Sequence, residues 1–192
     1  MKFKITFNSP VVLVFMIICF VATIANYVTS GWTNQFVFST YHSSLLNPMT
    51  YIRFFTHVFG HANFSHFWGN SLMILLLGPM LEEKYGSVML IKIIAISALV
   101  TSLVNYILFW DIALLGASGV VFSFILLTSF TGFKDGEIPM TFILVTIVYL
   151  GREIFNAITV QDNISQMGHI IGGLVGAAAG YKLNRRIGPD YF

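Results

Sequence analysis

The sequence predicts an all-α membrane protein, a polytopic bundle of six transmembrane helices in a single domain spanning residues 1–192. Charged residues make up 9% of the chain and hydrophobic residues 56%, whereas a soluble domain carries about 25% charged residues. The apolar residues form several blocks near 20 residues long, the length with which a helix crosses roughly 30 Å of hydrocarbon. Blocks this long and continuous indicate helices rather than the strands of a barrel.

The first block, at residues 10–28, has an apolar run longer than that of a typical signal peptide, so we expect a membrane span, with a cleavable signal as the alternative. The hydrophilic stretch Ser30–Ala62 follows it and is rich in aromatic residues, as is typical of an interfacial loop. Later connections are short. The six predicted spans cover residues 10–29, 63–82, 86–109, 118–133, 138–156 and 167–184.

The positive charges predict the orientation of the chain. Eight of its ten Lys and Arg residues fall on the side of the N-terminus, and only Arg53 and Arg152 fall on the opposite side. Positive residues accumulate on the cytoplasmic side of membrane proteins. We therefore expect both termini in the cytoplasm and the first loop outside. A bacterial cell membrane is the expected location.

The fourth span is short, since about 16 residues separate Ser118 from Lys134, or roughly 24 Å of helix. The apolar segment 110–117 is predicted to dip inward and to deliver Ser118 below the outer surface, because irregular backbone at membrane depth needs surrounding protein or a watery cavity. Ser118 follows small residues and begins a helix, where unpaired N–H groups and partial positive charge favour an oxyanion. An ordinary N-cap serine has the same local pattern.

His169 lies one turn before a stripe of small residues at every fourth position, Gly172, Gly176 and Gly180. Such a stripe lets two helix backbones approach closely in lipid. If the partner is the fourth span, His169 faces Ser118, and a buried neutral imidazole there is a suitable base for the hydroxyl. A histidine that is hydrogen-bonded only for stability is the alternative.

His66 and Asn70 are one helical turn apart in the second span, so they share a face about 6 Å apart along the axis. Both lie near the depth predicted for Ser118, and each can donate a hydrogen bond to a developing oxyanion without carrying a charge. The nearest carboxylates, Asp111 and Asp162, fall in loops. The pattern therefore predicts a Ser–His dyad with neutral donors rather than a Ser-His-Asp triad.

Taken together, these residues resemble the rhomboid family of intramembrane serine proteases over about residues 48 to 185. The resemblance implies a serine endopeptidase that cuts transmembrane helices of other proteins near the outer membrane face, with a small residue before the cut. It implies Ser118 as nucleophile and His169 as base. His66 and Asn70, with Gly116, would stabilise the oxyanion. The matching segments are residues 53–57 with His61, His66-x-x-x-Asn70, residues 81–87 with Glu82, residues 116–119, and Gly168-His169-x-x-Gly172-x-x-x-Gly176.

The resemblance assigns structural support to Arg53, His61, Glu82 and Phe122. The family often has Trp-Arg where Ile52 precedes Arg53 here, which changes the packing of the first loop but not the chemistry. It also often has a tyrosine four residues after the nucleophile. Phe122 in that position can still stack on the catalytic histidine, although it lacks the hydroxyl.

Four other functions remain open. A client-binding relative that does not cut would usually lack the nucleophile or the base. His57, His61 and His66 could ligate a metal, but no carboxylate completes the set, so we predict no metal and no cofactor. A transporter would need more charge at the midplane than Lys92 supplies, and an aspartyl protease would need a central aspartate. The predicted partners are transmembrane substrates and the lipid bilayer, without nucleic acid; the oligomeric state is left open.

Overall fold

The computed structural model describes residues 7–130, 140, 143–148, 151 and 166–184. These residues form helices and loops and contain no β-strand. The all-α prediction is thereby confirmed. In chain order the elements are α1 Pro10–Val28, a π-helical turn Asn34–Phe38, α2 Pro48–Thr56, a 3-10 turn His57–Phe59, α3 Phe64–Tyr85, α4 Ser87–Leu108, α5 Ser118–Ser129 and α6 Gln166–Asn184.

Helices α1, α3, α4 and α6 begin and end within three residues of the predicted spans one, two, three and six. The connection predicted at residues 83–85 is wrong, because α3 continues to Tyr85 and the chain reverses at Gly86 alone. Its φ of +81° is a left-handed conformation that glycine adopts without strain. The predicted end of the fourth span and most of the fifth span, 138–156, lie outside the described residues.

Two of the described helices, α1 and α4, are long and apolar enough to cross a membrane by themselves. Helix α5 has only 12 residues, or about 18 Å at 1.5 Å per residue. All eight side chains from Val120 to Leu127 are buried, so α5 is covered on every side. Helices α3, α4 and α6 pack around it. The helix that begins with Ser118 is therefore held by the interior of the bundle.

The starts of α1 and α4 meet the end of α3 at the buried carboxylate of Glu82. This carboxylate accepts hydrogen bonds from the backbone N–H groups of Val11 at 3.0 Å and Val12 at 3.1 Å. The Ser87 hydroxyl donates a third at 2.7 Å. Ser9 gives α1 no side-chain cap, so Glu82 supplies both the missing acceptor and a negative charge at the helix N-terminus.

The loop between α1 and α3 contains α2. Asn47 caps this helix by accepting a hydrogen bond from the Met49 N–H at 3.0 Å, and Pro48 occupies the first helical position, where its fixed φ is favourable. Arg53 is buried, and its guanidinium lies 4.5 Å from the ring centroid of Tyr41. This cation–π contact joins the first part of the loop to α2.

Candidate active site

Helices α5 and α6 cross with their backbones in direct contact. A Cβ added at either of the first two glycines of the α6 stripe would lie 2.7 Å from a backbone carbonyl carbon of α5. Side chains do not tolerate such distances to backbone, so only glycine fits there. The three stripe contacts are Gly172 with the backbone of Gly119, Gly176 with the backbone of Ser123, and Gly180 with the ring of Phe130.

His169 stacks on α5 one turn after Ser118. The His169 imidazole and the Phe122 ring are parallel, with centroids 4.6 Å apart and an interplanar angle of 6°. Ser118 and Phe122 are four residues apart and therefore share a face of the helix. Ser118 is half-buried, and Ala117 before it gives the helix no side-chain cap. An imidazole thus covers the helix face that begins with the serine.

The backbone at Gly116 runs directly against His66 and Asn70. Gly116 has φ +117°, and a Cβ there would lie 2.7 Å from His66 Cε1, 2.8 Å from His66 Nε2 and 3.8 Å from Asn70 Nδ2. Both the backbone conformation and the lack of space require glycine. The segment that leads to Ser118 therefore passes beside the two neutral donors of α3.

The two hydrogen-bond donors on α3, His66 and Asn70, differ in how they are held. Asn63 caps the helix by accepting a hydrogen bond from the His66 N–H at 2.8 Å, which fixes the first turn. Asn70 is 8% exposed, and its Nδ2 finds no hydrogen-bond partner among the described residues. A buried amide donor without a partner is uncommon and carries a desolvation cost. Asn70 Nδ2 is therefore available to bind an acceptor that arrives with a ligand.

Backbone hydrogen bonds anchor the segment before Ser118 to the first loop. The N–H groups of Thr40 and Leu114 each donate to the other residue's carbonyl, at 2.9 and 2.8 Å. Asn105 Nδ2 donates to the Ile112 carbonyl at 2.9 Å. The sequence gives one signal of this support, an asparagine within an apolar helix. Thr40 gives none, because its role rests on backbone atoms.

His57 supports the same segment from the side of the 3-10 turn. Its carbonyl accepts a hydrogen bond from the Gly116 N–H at 2.9 Å. Its Nδ1 donates to the Arg53 carbonyl at 3.2 Å, and its Nε2 lies 3.4 Å from the Thr101 hydroxyl. Burial lowers the pKa of His57 from 6.5 to about 4, against a smaller opposite effect of the backbone hydrogen bonds. The ring is therefore neutral near pH 7.

His61 is buried beside His66. The two rings meet edge to face with centroids 5.1 Å apart, and His61 Nδ1 donates to the Phe59 carbonyl at 3.1 Å. Burial, and next the charge that His66 can carry, lower the pKa of His61 to about 4. Within the part of the chain that the structure describes, no three metal-binding side chains converge. His57 points to Thr101 instead of toward His61 and His66, so the three histidines do not form one ligand set.

The Arg53 guanidinium contacts Tyr41, and the Glu82 carboxylate contacts the starts of α1 and α4. Glu82 follows His66 by 16 positions on the same helix, or about 24 Å along its axis. Glu82 is therefore too far from His66 to take part in chemistry beside it. Both side chains hold elements of the fold together. The supporting role that the family resemblance implies for them stays a prediction.

Residues 48–186 match the family model of the Rhomboid domain. No curated protein matches the chain significantly. The matched range covers well over half of the 192 residues and includes the α5–α6 crossing and the donors of α3. The chain is therefore an integral membrane protein that belongs to the rhomboid family, a family of intramembrane proteases.

Proposed function

We propose that the protein is an intramembrane serine endopeptidase, with Ser118 as nucleophile and His169 as its base. The observation that carries the proposal is the parallel stack of the His169 ring on Phe122, one helical turn after Ser118. An imidazole stacked one turn after a serine, on a helix without a side-chain cap at its N-terminus, is a suitable arrangement for nucleophilic catalysis. Membership in a family of intramembrane proteases supports the same reaction class.

In the proposed reaction, His169 takes the proton of the Ser118 hydroxyl while the oxygen attacks the scissile carbonyl carbon. The carbon–nitrogen bond of the tetrahedral intermediate then breaks, and His169 gives its proton to the leaving amine. A water molecule, deprotonated by the same imidazole, attacks the acyl ester and releases the second product. Ser118 regains its proton, and the cycle needs no cofactor.

Three neutral donors would stabilise the oxyanion: His66, Asn70 and the backbone N–H of Ser118. Preorganised donors in a water-poor site act most strongly on charge that develops in the transition state. The buried Asn70 Nδ2 without a protein partner supports this role. Gly116 contributes by leaving room, since a side chain there would occupy the space beside His66.

The proposed substrates are transmembrane helices of other proteins, cut near the outer face after a small residue. Eight of the ten Lys and Arg residues favour cytoplasmic termini. The proposed location is a bacterial cell membrane. Cysteines introduced within residues 30–51 should then react with an impermeant reagent from outside, whereas a cysteine beside Arg185 should not. The reverse labelling would move the site to the cytoplasmic half.

Replacement of one serine hydroxyl tests the proposal. Ser118→Ala should abolish both labelling by a fluorophosphonate probe and cleavage of a reporter transmembrane substrate, with unchanged thermal stability. Ser123→Ala is the matched control, because it removes a buried hydroxyl from the same helix and should leave both activities intact. Cleavage by Ser118→Ala would contradict the proposed nucleophile. Substrate binding by the native chain without labelling or cleavage would assign it to the inactive members of the family.

A further inference from the structure

A cavity of about 450 Å³ lies between α1, α4 and the first loop, and none of its lining residues belongs to the candidate active site. Its walls are formed by α1 and α4, and the end of α2 with the 3-10 turn closes one end. Every residue that lines it is apolar. We call it the α1–α4 cavity; it is lined among others by Val14, Ile18, Phe55, Val58, Ile91 and Ala95.

Hydrocarbon is the occupant that these walls favour. A water molecule needs two to four polar partners to be stable in a buried site, and the apolar lining offers none. Three wall residues are partly open to the surroundings: Val14 is 55% exposed, Ile18 39% and Ile91 53%. In an integral membrane protein those surroundings are acyl chains. An empty space of this size would forfeit the dispersion contacts of its walls, so an acyl chain is expected to enter.

The predicted spans, which begin near Pro10 and Gly86, place one end of the cavity at a membrane interface. Glu82 binds the start of α1 through Val11 and the start of α4 through Ser87, so both walls begin at the same level. From Pro10 to Ile18 the wall rises about 12 Å, less than half of the roughly 30 Å of hydrocarbon. Lys92 is exposed and follows the wall residue Ile91. Its long side chain can reach a headgroup at this interface.

We propose that the α1–α4 cavity is a binding site for one acyl chain of an anionic phospholipid, whose headgroup is held near Lys92. The acyl chain comes from the bilayer leaflet in which α1 begins. The apolar walls select hydrocarbon, and the positive charge beside the opening selects an anionic headgroup over a zwitterionic one. Binding itself is independent of the proposed proteolytic reaction.

The closed end of the cavity connects lipid binding to the candidate active site. Val58 lines the cavity and follows His57, whose carbonyl accepts the hydrogen bond of the Gly116 N–H. A bound acyl chain therefore supports the turn against which the segment before Ser118 rests. The expected effect of bound lipid on turnover rests on the proposed function. The expected lipid binding itself and its effect on thermal stability do not.

The full chain is reconstituted in vesicles of phosphatidylethanolamine and phosphatidylglycerol and is then extracted. Native mass spectrometry counts the lipid molecules that it retains. Ala95→Trp fills the cavity and should lower retained phosphatidylglycerol at least about tenfold, or about 1.4 kcal/mol. Ile96→Trp is the matched control, because it adds the same ring at a position that is 51% exposed and outside the lining. Lys92→Gln should keep lipid bound but reduce the preference for phosphatidylglycerol roughly fivefold.

Added phosphatidylglycerol should also raise the melting temperature of the wild type and of Ile96→Trp, but not that of Ala95→Trp. If Ala95→Trp fails to fold, Ile18→Trp on the opposite wall makes the same comparison. Equal lipid retention by the wild type and the filled variants would overturn the proposal. Disulfide-linked dimers of Ile91→Cys that retain no lipid would also overturn the proposal, since they would show that a second copy of the chain occupies the cavity.

Discussion

The contact between α5 and α6 makes Gly176→Ala a sharp test of the fold around the site. A Cβ at this position would lie 2.7 Å from both the carbonyl carbon and the Cα of Ser123, against 3.4 Å or more for ordinary contact. The two helices would have to separate by at least about 0.7 Å, because the Cβ would lie closer still to the Ser123 carbonyl oxygen. A gap of this size forfeits a quarter to a half of each nearby dispersion contact. Backbone atoms cannot rotate away as a side chain can.

The expected cost is therefore that of overpacking, about 1–3 kcal/mol of the free energy of unfolding. It must exceed the gain of roughly 0.5–1 kcal/mol that alanine brings to a helix interior. Gly69→Ala measures that gain alone, since a Cβ on this residue of α3 would meet no atom within 4 Å. Gly180→Ala should fall between the two, because its Cβ would meet side-chain atoms of Phe130, Cγ at 2.6 Å and Cβ at 2.7 Å, rather than the backbone of α5.

Thermal unfolding in micelles and cleavage of a reporter substrate measure the series. We expect the order Gly69→Ala, Gly180→Ala, Gly176→Ala in decreasing stability, with turnover lowest in the last variant because His169 moves with α6. If Gly176→Ala had the same melting temperature as Gly69→Ala and cut substrate at the wild-type rate, the close approach of α5 and α6 would be absent in the membrane.

Three further predictions concern single side chains. Asn70→Ala should lower turnover on the order of 10²-fold, with little change in substrate binding. This loss should be smaller than that of Ser118→Ala. If chelators abolished activity and Asn70→Ala cut substrate normally, a metal site would be supported instead. His57 should contribute a fall of on the order of 3 kcal/mol in the free energy of unfolding from pH 6.5 to about 4, since the unfolded chain takes up a proton near 6.5 while burial holds the pKa of His57 at about 4. Denaturant titrations compare the pH dependence of stability in the wild type and in His57→Gln, and the dependence should be weaker in the variant. Phe122→Tyr should keep wild-type turnover whereas Phe122→Ala should lose most of it, because the stack with His169 needs a ring; equal turnover of the two variants would contradict that role.

The helices were predictable because lipid imposes a simple rule on the chain. A segment that crosses hydrocarbon must be apolar and about 20 residues long, and α1 and α4 obey it closely. The boundaries were less predictable. Residues 83–85 are charged or polar and suggested a loop, but α3 continues through them because Gly86 makes the reversal in one residue.

The surroundings of the site were only partly predictable. The spacing of Gly172, Gly176 and Gly180 indicated a close helix contact, and the structure shows that they touch Gly119 and Ser123 of α5 and Phe130 just after it. The anchoring of the segment before Ser118 gave no such pattern. The pairing of Thr40 with Leu114 uses backbone groups alone, and backbone groups are the same in every residue except proline.

Two close approaches flank Ser118, and both depend on a missing side chain. On one side Gly116 lets the preceding segment run against His66 and Asn70, and on the other Gly172 lets α6 come close enough for His169 to cover α5. Any Cβ would widen one of these gaps by several tenths of an ångström. Catalytic groups placed an ångström apart from their working positions lose orders of magnitude in rate. The proposed chemistry therefore constrains these glycines as strongly as it constrains Ser118 and His169, although none of the glycines touches a reacting proton.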